Sequence, residues 1–192
     1  RVFITNIDTG NTVEGFADPV GASNTLFTFT PAVALDDGVH LISAAVDIFD
    51  LQEDGGGAPD PAMGRSLLSV PLSITIDTEA PNPANLADLL ASSDSGTFDD
   101  DDVTNKMQPA FAGVGPANHK IRLFAARNGG PALYVEQGVI GSDLTDDPTP
   151  NGLGAWEITV EPLIDGQYVI TTIVEDLAGN LSVASQGLTI WI

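Results

Sequence analysis

Residues 35–46, LDDGVHLISAAV, decide the fold, because the same pattern returns at 163–174 as LIDGQYVITTIV. Each copy has an Asp-Gly turn followed by a run of β-branched and apolar residues, and each leads into a second run, at 67–76 and at 181–192. The copies are 128 residues apart (163 − 35), which is longer than a short solenoid repeat and suits whole domains in tandem. The sequence therefore predicts two domains built on one plan.

Alternation of apolar and polar residues is the dominant local pattern. Trp156, Ile158 and Val160 fall on one face of an extended segment, and 168–174 is rich in β-branched and aromatic residues. Asp-Gly and Asn-Gly pairs separate such runs. In one short segment, 83–90, the spacing of the leucines is compatible with a helix. Many short strands divided by turns predict an antiparallel β-sandwich.

A boundary between the two domains is visible near residue 77. Pro81 and Pro83 follow the run that ends at Ile76, and prolines cannot continue a strand ladder. We predict a first domain at 1–76, an acidic linker at 77–83 and a second domain at 84–192.

The alignment of the copies also predicts a difference between the domains. Residues 1–4 match 120–123, yet the second copy has about 36 residues (120 − 84) before that point. We expect the first domain to lack its N-terminal strand or strands. Either the sequence is a piece of a longer chain, or another chain or segment adds the strand by β-augmentation.

Composition restricts the function classes. The chain has 27 acidic and 6 basic residues and a net charge of −21, so its surface repels nucleic acids and anionic lipids. It has no cysteine, which excludes disulfides and thiolate metal sites. No apolar run reaches the roughly 20 residues that span a bilayer. We expect no nucleic-acid partner and no membrane insertion, and we expect an internal piece of a longer protein.

Seven short motifs follow one another in the second half of the chain. They are 77–81 (DTEAP), 93–96 (SDSG), 101–105 (DDVTN), 109–113 (PAFAG), 154–156 (GAW), 163–166 (LIDG) and 176–180 (DLAGN). This series resembles the bacterial immunoglobulin-like repeats of large surface adhesins. The resemblance covers 77–192 well and only the later strands of 1–76. It implies an all-β fold of tandem immunoglobulin-like antiparallel β-sandwiches, an extracellular place on the bacterial surface, and calcium at the domain joints.

Acidic residues in three segments are the candidate metal ligands. A sandwich brings the linker, the loop that follows it and the loop before the last strand towards one pole of the second domain. Ca²⁺ takes six to eight oxygen ligands, and adjacent carboxylates are costly to ionise together without a cation. The predicted Ca²⁺ ligands are Asp77, Glu79, Asp94, Asp99, Asp101, Asn105, Asp176 and Asn180. The alternative is a solvated loop in which Asp94 and Asn105 cap turns.

Motifs for catalysis are missing from the sequence. It has no Gly-x-Ser-x-Gly, no Ser-x-x-Lys and no phosphate-binding loop, and its two histidines lack zinc-ligand spacing. His40 and Tyr168 each follow an Asp-Gly turn and match the corner residue that bonds back to the backbone in sandwiches. Trp156 is expected in the core. We therefore predict that the chain is not an enzyme.

These observations favour a structural extender, or stalk, module of a bacterial cell-surface adhesin-like protein, rigidified by Ca²⁺ at the interdomain joint. Its partners would be neighbouring immunoglobulin-like domains of the same chain. Three alternatives remain open. Loop 50–60 or segment 138–154 could bind a glycan or a protein ligand, the pair could be an accessory part of a secreted enzyme, or it could be a fibre subunit completed by donor-strand exchange.

Overall fold

The computed structural model describes residues 1–20, 26–48, 64–98, 100–139 and 152–192. The chain divides into two compact units, Arg1–Thr78 and Glu79–Ile192, so it changes unit inside the predicted linker 77–83. All the regular elements in the described residues are β-strands, which confirms the predicted all-β fold. That part of the chain contains no helix long and apolar enough to cross a membrane.

The described residues of the first unit form one four-stranded antiparallel sheet and two short strand pairs. The sheet has the order β2-β1-β5-β8, β3 pairs with β4, and β6 pairs with β7. The strands are β1 (Val2–Asn6), β2 (Thr12–Gly15), β3 (Asp18–Pro19), β4 (Phe27–Thr28), β5 (Gly38–Ala44), β6 (Asp47–Ile48), β7 (Gly64–Arg65) and β8 (Leu72–Ile76).

In the second unit, the residues that the structure describes form two antiparallel sheets, with the orders β13-β10-β9 and β12-β11-β14-β15. The strands are β9 (Asp88–Leu89), β10 (Ala110–Pro116), β11 (Lys120–Arg127), β12 (Ala132–Val139), β13 (Leu153–Thr159), β14 (Gln167–Glu175) and β15 (Leu188–Trp191). The sheet β2-β1-β5-β8 of the first unit repeats the order of β12-β11-β14-β15, as the duplicated sequence predicts. Within the described residues of the first unit, no strand corresponds to β10.

The helical reading of 83–90 is wrong, because this segment forms no helix and contains β9. Ala87 and Leu89 are 1% and 3% exposed, whereas Leu86 is 47% exposed. Burial of alternate residues is the pattern of a strand. The packing of Ala87 and Leu89 against the core therefore determines the conformation of this segment, although the spacing of its leucines favours a helix.

The core of the second unit lies between its two sheets. Phe111, Ile121, Leu123, Ile170, Val174 and Ile190 are completely buried there. Trp156 is 4% exposed, which confirms its predicted place in the core. On β14 the inward residues alternate with half-buried ones, so the period-two pattern of the sequence is the burial pattern of the strand.

The corner predicted after each Asp-Gly turn is present in both units. The Tyr168 hydroxyl donates a hydrogen bond to the Ile164 carbonyl oxygen at 2.7 Å. In the first unit, His40 Nε2 lies 2.8 Å from the Asp36 carbonyl oxygen, with the same separation of four residues along the chain. The two side chains are 4% and 3% exposed. The prediction that His40 and Tyr168 have equivalent structural roles is therefore confirmed.

Candidate functional site

The acidic loop, which we define as the described residues of 93–105, connects β9 to β10. Two buried polar side chains anchor it to the second unit. The Thr104 hydroxyl donates to the Ser93 carbonyl oxygen at 2.5 Å, and Ser93 Oγ accepts a hydrogen bond from the Ala110 backbone N–H at 2.9 Å. Ser93 and Thr104 are each 4% exposed. The ends of the acidic loop are therefore fixed to β10, while its acidic residues remain near the surface.

The returning part of the acidic loop lies alongside β15. The Thr104 N–H donates to the Trp191 carbonyl oxygen at 2.8 Å, and the Trp191 N–H donates to the Asp102 carbonyl oxygen at 3.0 Å. Val103 and Trp191 form a parallel bridge. The chain thus crosses from the sheet of β9 to the edge of the sheet of β15, and this pairing positions Asp102.

The carboxylates of Asp94 and Asp101 organise the turns of the acidic loop. Asp94 Oδ2 accepts from the Asp102 N–H at 3.0 Å, and its Oδ1 accepts from the Gly96 N–H at 3.3 Å. Asp101 Oδ1 accepts from the Val103 N–H at 3.2 Å. These bonds agree with the turn-capping alternative for Asp94. An ionised carboxylate has about four acceptor positions, so both groups can still accept ligand contacts.

Asn105 belongs to the same loop. Its side-chain Oδ1 accepts a hydrogen bond from Ser95 Oγ at 3.0 Å, and its backbone N–H donates to that hydroxyl at 2.8 Å. The structure therefore brings Asp94, Asp101 and Asn105 of the predicted set into one loop.

The surroundings of Asp102 disfavour the ionised form of its carboxyl group. Partial burial raises the pKa of its carboxyl group, and repulsion from Asp88 and then from Asp94 and Asp101 raises this pKa further. Asp102 and Asp88 are both absent from the predicted ligands. The alternation in 87–89 could have indicated that Asp88 points outward from β9 towards this cluster.

The basic residues of the chain do not neutralise the negative charge of the acidic loop. The described ion pairs join Arg1 and Arg65 to Glu14 and Asp47, and Lys120 and Arg122 to Glu175. Lys106 and Arg127 donate to backbone carbonyl oxygens. Among the described residues, no ion pair joins a base to Asp94, Asp101 or Asp102. A cation from solution would lower the repulsion that raises the Asp102 pKa.

Asp176 and Asn180 form a separate hydrogen-bonded loop between β14 and β15. Asp176 Oδ1 accepts from the N–H groups of Gly179 and Asn180 at 2.7 and 2.8 Å, and its Oδ2 accepts from Asn180 Nδ2 at 2.9 Å. Burial acts to raise the pKa of Asp176, but the hydrogen bonds from Asn180 and Gly179 bring this pKa below its ordinary value. These bonds give both residues a structural role within their own loop.

The other three predicted ligands are Asp77, Glu79 and Asp99. Asp77 belongs to the first unit and Glu79 to the second, and Asp99 lies outside the described residues. In the described parts of the chain, no group of three or more His, Cys, Asp or Glu side chains is arranged to hold a metal ion. The eight-residue Ca²⁺ set therefore stays a prediction. Loop 50–60 also lies outside the described residues, as does most of segment 138–154.

Comparison with known proteins identifies one family. The model of the bacterial Ig-like domain matches residues 80–192. A solved structure described as "Biofilm associated protein - BSP domain" is 17% identical, with a TM-score of 0.32. The match covers 99% of this chain and 24% of that one, so the chain spans about a quarter of the solved structure. A likeness at this TM-score supports no conclusion. No curated protein sequence matches the chain.

Proposed function

The chain belongs to the family of bacterial Ig-like domains, and from that membership we propose that it is a structural extender module of a bacterial cell-surface protein of the adhesin type. The observation that carries the proposal is the repetition of one sheet order, β2-β1-β5-β8 and β12-β11-β14-β15, in two successive units. Repetition of one module lengthens a protein without adding a new site. In this proposal the chain acts outside the cell and without catalysis, and its partners are neighbouring Ig-like domains.

A contact at the end of the first unit supports a mechanical role. Thr78, the last residue of that unit, donates hydrogen bonds from its N–H and its hydroxyl to Asp37 Oδ1, at 3.2 and 3.0 Å. Asp37 belongs to the repeated Asp-Gly turn, so the turn holds the point at which the chain leaves the unit. Pro81 and Pro83 then restrict the backbone of the following residues. Both features reduce the freedom of the exit segment.

We further propose that the acidic loop binds Ca²⁺. Asp94, Asp101 and Asp102 would supply hard oxygen ligands once a cation draws them together, and partial burial together with repulsion from Asp88, Asp94 and Asp101 raises the pKa of Asp102, an effect that a divalent cation would oppose. The participation of Asp77, Glu79 and Asp99, and with it the stiffening of the joint, remains a prediction. Small-angle scattering of the whole chain tests the stiffening, because a Ca²⁺-dependent increase in length is expected.

Thermal unfolding with Ca²⁺ or with a chelator tests the calcium proposal. If free Ca²⁺ is present at 100 times its Kd, binding to the folded state adds about 2.7 kcal/mol to the free energy of unfolding. We expect Ca²⁺ to raise the Tm of the second unit by several degrees. Identical melting curves in Ca²⁺ and in chelator would show that the acidic loop binds no calcium.

The variant Asp102→Asn makes this test specific. Asp102 has φ = 57°, and asparagine tolerates this left-handed conformation while removing the charge. In chelator the variant should melt higher than the wild type, because repulsion is relieved, and its gain from Ca²⁺ should be smaller. Asp165→Asn, at an exposed turn of the same unit, is the matched control. An equal Ca²⁺ response in both variants would exclude Asp102 from the site.

A further inference from the structure

An Asn-Gly pair forms the turn between β11 and β12 in the second unit. Asn128 and Gly129 have φ values of 49° and 73°, and the Gly130 N–H donates to the Arg127 carbonyl oxygen at 2.9 Å. Positive φ at both central residues defines the hairpin turn for which Asn-Gly is a preferred sequence. Asn128 and Gly129 are both exposed, so water reaches the pair.

The same dipeptide carries a reactive side chain. In an Asn-Gly pair the backbone nitrogen of glycine can attack the asparagine Cγ, because glycine has no side chain to hinder the approach. The new N–Cγ bond closes a succinimide ring, and the side-chain amide nitrogen leaves as ammonia together with the glycine N–H proton. Water then opens the ring at either of its carbonyl groups. One opening gives aspartate and the other gives isoaspartate, whose backbone runs through the side chain.

Two hydrogen bonds hold Asn128 against the first residue of β14. Its side-chain Oδ1 accepts from the Gln167 N–H at 3.1 Å, and its backbone N–H donates to the Gln167 carbonyl oxygen at 2.8 Å. The attack requires the side chain to turn towards its own backbone, which breaks the bond between Oδ1 and the Gln167 N–H. The folded turn therefore opposes ring closure.

A second set of contacts connects this turn to the Asp-Gly turn before β14. Arg127 Nε donates to the Asp165 carbonyl oxygen at 3.1 Å, and Nη2 of the same guanidinium donates to the same oxygen. A Cβ on Gly166 would lie 3.3 Å from Asn128 Oδ1 and 2.8 Å from Arg127 Nε, so glycine allows the two turns to touch. We define residues 127–129 and 165–167 as the turn clasp.

We propose that Asn128 is a site of covalent modification, at which opening of the turn clasp permits deamidation. Isoaspartate inserts a methylene group into the backbone of the turn and displaces the acceptor of the Gln167 N–H, so the turn clasp cannot close again in its original form. Aspartate keeps a side-chain oxygen in the place of Oδ1 and leaves the turn clasp intact. Openings that last long enough for ring closure are thus recorded as a permanent change in the chain. This site does not depend on Ca²⁺ binding by the acidic loop.

The rate of deamidation in the folded and in the unfolded chain tests the proposal. The whole chain is incubated at mildly alkaline pH with and without urea, and peptide mapping by mass spectrometry separates Asn128 from Asn151, the other Asn-Gly asparagine of the sequence. In urea the two asparagines should react at similar rates. Without urea, Asn128 should react at least about tenfold more slowly than in urea, which is the effect of one hydrogen bond of ordinary net strength.

Two glycine variants show whether the turn clasp sets this rate. Gly166→Ala places a methyl group against Asn128 Oδ1 and Arg127 Nε, and it should accelerate the reaction of Asn128 in the folded chain at least about threefold, because it weakens the hydrogen bond that holds the side chain. Gly179→Ala is the matched control. Gly179 also has a positive φ, 95°, in the same unit, and no described atom outside its chain neighbours lies within 4 Å of an added Cβ.

Arg127→Ala opens the turn clasp without adding an atom. It removes both donors to the Asp165 carbonyl oxygen, and the fold should persist because the Arg127 side chain is exposed. Its Asn128 should react faster than that of the wild type in the folded chain but not in urea. Tryptophan fluorescence checks that the second unit of each variant is folded during the incubation, since Trp156 and Trp191 both belong to it.

The melting temperature of the second unit distinguishes the two products. The variant Asn128→Asp should melt close to the wild type, because aspartate tolerates a positive φ and retains the oxygen acceptor. A chain aged until Asn128 has become isoaspartate should melt at a lower temperature.

Three outcomes would overturn the proposal. One is an equal rate of Asn128 deamidation with and without urea. Another is an equal acceleration by Gly166→Ala and Gly179→Ala, or no acceleration by either Gly166→Ala or Arg127→Ala in the folded chain. The third is a melting temperature of Asn128→Asp as low as that of the aged chain, which would mean that the added charge, and not the longer backbone, opens the turn clasp.

Discussion

Truncation of matched valines in the two units gives the most direct test of the structural reasoning. Val174 is 0% exposed and Val46, its counterpart in the repeat, is 67% exposed. Val174→Ala removes two buried methyl groups, each worth about 0.8 kcal/mol in transfer free energy, and leaves a cavity. The expected loss in the free energy of unfolding is about 2–3 kcal/mol. Val46→Ala should change it by less than about 0.5 kcal/mol, because the side chain is already in contact with water.

Calorimetry of the whole chain measures both effects. For a domain of about 100 residues, 1 kcal/mol corresponds to roughly 4 °C in Tm, so Val174→Ala should lower the Tm of the second unit by about 8–12 °C. Tryptophan fluorescence assigns that transition, since Trp156 and Trp191 belong to the second unit. The transition of the first unit in Val46→Ala should stay in place. Equal losses in the two variants would refute the argument, because they would mean that Val46 is covered in the folded chain.

Two further substitutions test the second unit. Gly113→Val should strongly destabilise it, with a larger fall in Tm than Val174→Ala, because even the Cβ would lie 2.6 Å from the Trp156 ring; an unchanged Tm would contradict the described packing. Asp176→Ala should lower the Tm at neutral pH because it removes the acceptor for the Gly179 N–H at 2.7 Å. Since the folded-state pKa of Asp176 is lowered from 3.8, this stabilisation is present above pH 3.8 and is lost as the pH falls through the folded-state pKa. Acid titration of the Tm in both proteins should show the two curves converging, and a constant difference would exclude the carboxylate as the cause.

Much of the fold could be predicted because strand formation has a local signature. Alternation placed Trp156, Ile158 and Val160 on one inward face, and all three are buried. The Asp-Gly turns located the corners at His40 and Tyr168. The helical reading of 83–90 failed because contacts with distant strands buried Ala87 and Leu89, and such contacts are invisible in a short window of sequence.

The candidate site was less predictable because it depends on long-range pairing. The parallel bridge between Val103 and Trp191 positions Asp102 beside the other carboxylates, and no local pattern indicates it. Asp176 has the composition of a ligand, but the loop geometry directs its oxygens to nearby N–H groups. Counting the acidic residues in the sequence identifies segments that are rich in oxygen ligands. The backbone geometry decides which of those oxygens remain available to a cation.

The sequence by itself determined the period of the strands, the duplication of the module and the acidic character of the surface, because each is a property of neighbouring residues or of total composition. The tertiary structure alone decided which faces are covered. Val46 and Val174 are the same residue at the same place in the repeat, yet one is exposed and the other buried. The reason is physical: Val174 lies within β14, whose inward face packs in the core, whereas Val46 lies beyond the end of β5, where the neighbouring Ala45 is the buried residue.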